Sequence, residues 1–122
     1  MDCPPVTYSI DTTGLDYPGR ASVANRRALK QWTAMTGIPF VYQPSGGLVS
    51  VVFRTIKDEW AAYALGNVIV VDPRWIKESV LAHEWGHILG IPHTSAPDML
   101  MTLGGFMDKV TPADAELARC PA

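Results

Sequence analysis

The stretch HEWGHILGIPH, His83 to His93, constrains this chain more than any other, because it holds all three of its histidines. Residues four apart share one face of an α-helix, so His83 and His87 can grip a single ion. Glu84 lies about 60° around the helix from His87, at ~100° per residue. From there it reaches a ligand of the metal rather than the metal itself. Gly86 and Gly90 fall on the histidine face, where side chains would crowd the ion or whatever supports it from below. Gly90 is also a natural helix stop, since glycine takes positive φ without steric penalty. The chain can then turn sharply and bring His93 back as a third ligand.

Three neutral imidazoles leave the fourth position of a tetrahedral Zn2+ open to water, and an open position separates a catalytic site from a structural one. Zinc in such a place acidifies water, and Glu84 accepts the proton and later passes it to a leaving amine. A structural zinc asks for a fourth protein ligand. No fourth histidine exists, and both cysteines lie far away in sequence. The competing reading is a surface helix with incidental histidines. Five specified residues at this spacing arise by chance on the order of once in ten million positions, which favours the metal.

With 122 residues the chain has room for one compact domain, 1–122, and too few for two ordinary ones. It is 48% hydrophobic and 18% charged, enough to build a core and not the composition of a disordered chain. A net charge of -2 gives no reason to expect nucleic acid or an anionic membrane as partner. No apolar run approaches the ~20 residues that span a bilayer. MDCPPVTYSI lacks the basic-then-apolar pattern of a secretory signal. Cys3 and Cys120 leave two readings open, a zinc-directed thiol or a disulfide joining the termini, with the even count favouring the disulfide. Such a bridge contributes roughly 4–5 kcal/mol by chain entropy and implies an oxidising, hence extracellular or secreted, setting.

VTYSI (6–10) reads as a strand, and DTTGLDYPG as a loop. From Ser22 to Met35 the pattern is helical, with Ala21, Ala24, Ala28, Trp32 and Met35 as its apolar stripe. Arg26, Arg27, Lys30 and Gln31 face away. Gly37 and Pro39 end that helix. Strands are expected at Phe40–Tyr42, Val49–Phe53 and Asn67–Val71, with EWAAYALG as an edge strand between the last two. A helix follows from Trp75 to Leu89, then an irregular stretch. Thr111 is a good N-cap, with Pro112 and Asp114 suited to the first turn of a short C-terminal helix, TPADAELARC. This order predicts an α+β fold, a twisted mixed sheet of four to five strands. A backing helix, an active-site helix and a C-terminal helix cover it.

The eleven residues match HExxHxxGxxH, the signature of the metzincin zinc peptidases, and HEWGH resembles the matrixin branch. HTSAPDMLM places Met101 eight residues after His93, similar to the methionine turn beneath the metal in that family, with Met99 as the competing candidate. More loosely, ALKQWTAMTGIPF is similar to the family's first helix, and EWAAYALG with NVIVVD to its edge strand and the next. KVTPADAELA looks like its last helix. The resemblance implies a zincin-like fold and a single catalytic Zn2+ held by His83, His87 and His93, with Glu84 as catalytic base. It implies a monomeric endopeptidase acting on proteins or peptides. An extended substrate would lie along Ala62, Tyr63 and Ala64, although Trp60 and Tyr63 read equally well as core aromatics. Leu103, Phe106 and Met107 would shape the pocket beyond the methionine turn, with Gly104 and Gly105 giving that loop latitude. An inactive, zinc-stabilised peptide-binding module is the alternative. The sequence departs from matrixins in lacking histidines for a second zinc, and no tyrosine follows Met101, so the phenol that some metzincin branches bring to the metal is not supported. The only hint of a calcium loop is Asp58 and Glu59, and Cys3 lacks the surroundings of the family's inhibitory cysteine.

Overall fold

A computed structural model describes residues 2–57, 60–104 and 107–121. Five strands, β1 (Val6–Asp11), β2 (Phe40–Tyr42), β3 (Val49–Phe53), β4 (Ala62–Leu65) and β5 (Val68–Val71), form one sheet in the order β2-β1-β3-β5-β4. The first four in that order run parallel, and β4 pairs antiparallel to β5, with Ala62 opposite Val71 and Leu65 opposite Val68. The architecture is therefore α+β with a mixed five-stranded sheet, at the upper end of the predicted strand number.

Alternation along each strand selects one face for the core. Val6 and Tyr8, Val49 and Val51, Ile69 and Val71, and Ala62 all bury on that face. Helices α1 (Pro18–Thr36) and α2 (Glu78–Ile88) pack on one another across it. Two tryptophans lock them together reciprocally. Trp32 on α1 donates its indole N–H to the Ala82 carbonyl, at 2.9 Å, and Trp85 on α2 donates to Asn25 Oδ1, at 2.8 Å. Both side chains are fully buried, so each indole N–H needs such a partner. The short α3 (Pro112–Leu117) closes the chain.

The boundaries differ from expectation in instructive ways. Helix α1 begins at Pro18, four residues early, because proline at the first position already has a helical φ. Its buried stripe is Ala21, Asn25, Ala28, Leu29, Trp32 and Thr36, so Met35 is not part of the core and lies 45% exposed. Gln31 is half-buried rather than outward, since its amide bridges Glu78 and the Val110 backbone. The expected helix from Trp75 is a single 3-10 turn, Pro73–Trp75, capped by Asp72, and α2 starts only at Glu78. Asp72 is buried and accepts from Arg74 and from the Ile56 N–H, which hold its carboxyl well below the usual carboxylate range.

Cys3 and Cys120 are bonded, with Cα atoms 5.5 Å apart, and the described residues contain no free cysteine. The bridge spans 117 residues, a loop for which cross-linking contributes roughly 5 kcal/mol in the chain-entropy picture. Disulfides of this kind persist in oxidising compartments, which is compatible with an extracellular location. No described helix is long and apolar enough to cross a membrane.

Candidate metal centre and cleft

Helix α2 carries His83, Glu84 and His87 on the side facing β4, and ends as its sequence suggests. Gly90 adopts φ 83°, the left-handed region, and its N–H donates to the His87 carbonyl. The Ile91 N–H then folds back onto the Gly86 carbonyl at 3.0 Å. His93 thereby returns over the helix. Its Nε2 lies 3.1 Å from His83 Nε2 and 3.2 Å from His87 Nε2.

The chemistry of these nitrogens tests what they can hold. His83 Nδ1 lies 3.0 Å from the Leu100 carbonyl, and His87 Nδ1 lies 2.8 Å from the Ile91 carbonyl. A carbonyl only accepts, so each Nδ1 carries the proton and each neutral ring points its Nε2 lone pair at His93. Burial pushes the pKa of both rings down, which favours the neutral form. One proton on His93 Nε2 can satisfy only one of the two lone pairs aimed at it, but a cation among the three nitrogens satisfies all of them. Tetrahedral zinc with Zn–N bonds of about 2.0–2.1 Å spaces its ligands about 3.3 Å apart. The observed separations are close to that, so the donor set fits a metal of this size and preference.

Glu84 sits beside this cluster and is 6% exposed. Among the described residues no group hydrogen-bonds to its Oε1. Burial alone pushes its pKa up to about 7.

The histidines and Glu84 open into a cleft of about 570 Å³. One wall is β4, whose single partner among the described strands is β5, so its other edge is free. Ala62 and Ala64 turn their methyl groups toward α2. Tyr63 alternates to the opposite face, where its hydroxyl accepts from Arg54 Nη2 at 2.9 Å. Of the residues expected along the substrate, Ala62, Tyr63, Ala64 and Leu103 line the cleft, while Met107 is not part of the lining. Phe106, Gly105, Asp58 and Glu59 lie outside the described residues. Trp60 also lines the cleft and is 54% exposed, so the core reading of that indole is corrected.

The floor beneath the cluster is Met101, fully buried under Gly86. A Cβ at Gly86 would sit 2.8 Å from Met101 Cε and 3.1 Å from Trp32 Cζ2, which is why a side chain is excluded there. Met99 is buried as well but is not among the atoms nearest to Gly86. The turn is braced from α3. Asp114, fully buried, accepts from the N–H groups of Leu100 and Met101 at 2.9 and 3.1 Å, and from the Thr111 N–H and hydroxyl. Sequence reasoning gave Asp114 only a supporting place in the first turn of α3. The anchors at the Leu100 and Ile91 carbonyls escaped it because main-chain acceptors leave no side-chain signal.

A scan against protein-family models and a search of curated proteins give no match to this chain.

Proposed function

We propose that the protein is a zinc-dependent endopeptidase with a zincin-like fold, similar to the matrixin branch of the metzincins. The observation that carries this reading is the convergence of three imidazole Nε2 atoms, two of them with Nδ1 pinned, beside the buried Glu84 carboxyl, whose Oε1 has no partner among the described residues. His83, His87 and His93 would hold the ion. When bound, Zn2+ supplies Lewis acidity toward water and toward a peptide carbonyl.

The remaining steps belong to the protein's own groups. The free edge of β4 pairs with an extended peptide, main chain to main chain, and the small side chains of Ala62 and Ala64 permit its close approach. The Glu84 carboxylate takes a proton from the attacking water and returns it to the departing amide nitrogen. General acid–base work needs a carboxyl that can both take up and release a proton, and burial raises the proton affinity of this one in the metal-free protein. Among the described residues, the side chains lining the cleft beside Glu84 and the histidines are uncharged, which suits uncharged residues at the point of cleavage. The disulfide supports a secreted protein acting on peptides or proteins outside the cell.

The test is cleavage of a mixed peptide library by zinc-loaded protein, by chelated protein and by Glu84→Gln. Cleavage by the first alone is expected. Peptide binding without turnover by the zinc-loaded protein would replace this reading with an inactive peptide-binding module.

A further inference from the structure

His93 is held differently from its two partners. His83 and His87 are each fixed by an Nδ1 hydrogen bond to a carbonyl, whereas no described residue pairs with His93 Nδ1, and the ring is exposed. Its position is therefore set by the backbone on either side. The preceding backbone is fixed by the helix exit. The following backbone is fixed by a bridge between Thr94 and Thr102, in which the Thr94 N–H donates to the Met101 carbonyl at 3.1 Å.

Side chains close the same bridge. The hydroxyl oxygens of Thr94 and Thr102 are 2.8 Å apart, and the Thr102 hydroxyl donates to the Ala96 carbonyl. A hydroxyl has one proton to give. That of Thr102 goes to Ala96, so Thr94 is the donor in the pair and Thr102 its acceptor. Thr102 is thus the hub: it ties down the residue after His93 and the middle of the 94–102 loop, and its own backbone continues the turn bearing Leu100 and Met101. Leu100 in turn anchors His83.

We propose that Thr102 is a positioning residue for the metal centre, holding His93 Nε2 in register with the Nε2 atoms of His83 and His87. This rests on reading the three histidines as metal ligands. It joins the two kinds of support in the site, since the turn that fixes His83 through a hydrogen bond also fixes His93 through the backbone. Thr102→Val keeps the side-chain shape and removes both hydroxyl bonds. Thr102→Ser keeps both, and Thr94→Val removes only the donation to Thr102.

The experiment uses the full chain, stripped of metal. Zn2+ affinity is measured by competition with a chromophoric chelator, and Co2+ is titrated to record the visible band of the centre. Thr102→Val should bind Zn2+ about 10–100-fold more weakly with an altered cobalt band, Thr102→Ser should stay within about threefold of wild type, and Thr94→Val should fall between. Urea unfolding of each metal-free variant separates the outcomes. A Thr102→Val protein with a lowered midpoint but wild-type zinc affinity would make the threonine merely structural and overturn the proposal. Should Thr102→Val fail to fold, a Thr94→Val protein with undiminished affinity overturns it equally. Wild-type protein that takes up no metal would defeat the functional reading itself. A wild type that binds while Thr102→Val binds as well defeats only this inference.

Discussion

Gly86→Ala sets two known effects against each other, and the structure decides between them. Inside a helix, alanine is better than glycine by about 1 kcal/mol. Gly86 lies within α2 without a left-handed φ, so the backbone raises no objection. The added methyl, however, would meet Met101 Cε at 2.8 Å and Trp32 Cζ2 at 3.1 Å, with Met101 Sδ closer still. Relief requires the end of the Met101 side chain and the Trp32 ring to shift within the packed interior. Both are 0% exposed, and the backbone of Met101 is tied to Asp114. Overpacking a site of this kind costs about 1–3 kcal/mol, and contact with two fixed residues places it in the upper half of that range. The net expectation is a loss of about 1–2 kcal/mol.

Gly19→Ala supplies the control. That glycine is in the first turn of α1 with nothing within 4 Å of an added Cβ, so alanine should be neutral to stabilising, by up to about 1 kcal/mol. Urea unfolding of chelator-treated protein, followed by tryptophan fluorescence, reads both as midpoint shifts at constant slope. A cycle with Met101→Ala localises the clash. In that background Gly86→Ala should lose its penalty, giving a coupling energy of about 1–2 kcal/mol or more. If Gly86→Ala alone stabilised as Gly19→Ala does, the idea that this glycine makes room for the methionine beneath the histidines would be wrong.

Two further outcomes follow from buried carboxyls. Asp114→Ala strands the N–H groups of Leu100 and Met101, at about 1–3 kcal/mol each, and removes the carboxylate half of the α3 capping box, at about 1 kcal/mol; a total loss of about 3–7 kcal/mol should appear in urea unfolding, with Asp114→Asn intermediate. Glu84 makes the metal-free protein sensitive to pH. Because its folded pKa is raised from 4.5 to about 7, the folded state holds this proton longer than the unfolded chain between those values. Wild-type stability should therefore fall relative to Glu84→Gln as pH rises through that window, by about 3 kcal/mol in all. His83 and His87, with lowered pKa values, act in the opposite direction in both proteins, so only the difference between the two isolates the carboxyl. A constant difference from pH 4.5 to 7 would show that Glu84 is not desolvated.

The local parts of this centre were legible, because spacing alone places side chains on a helix. His83 and His87 four apart, Gly90 as a stop and Thr111–Asp114 as a cap each follow from backbone geometry within one or two turns. Strand identities followed from alternation, and β4 was recognised as an edge although only four of its predicted residues pair. What was misjudged depends on distant partners. Asn25 and Thr36 replaced Met35 on the buried stripe of α1 because Trp85 and the Trp32 carbonyl supply hydrogen bonds for them. The 3-10 turn before α2 exists because Asp72 caps it while also binding Ile56, a contact sixteen residues away. Trp60 reads as a core residue by type, and only the tertiary fold shows that it edges a cleft.

These distant contacts bear most heavily on the site, and they come from one segment. Residues 111–120 touch the end of the histidine motif, the turn that follows it and the start of the chain. Asp114 fixes the Leu100–Met101 turn, the Arg119 N–H donates to the Leu89 carbonyl at 2.7 Å, and Cys120 bonds Cys3. The first contact sets the floor and the anchor of His83. The second holds the end of α2 just before Gly90 releases the chain toward His93, with the Arg119 side chain packed 3.6 Å from where a Gly90 Cβ would lie. The third keeps the segment itself from fraying. HExxHxxGxxH spacing can specify which residues meet a metal, but the angle at which His93 returns depends on bonds made outside those eleven residues. The segment that closes the fold thus also shapes the histidine cluster, and His93 is the member most exposed to its loss.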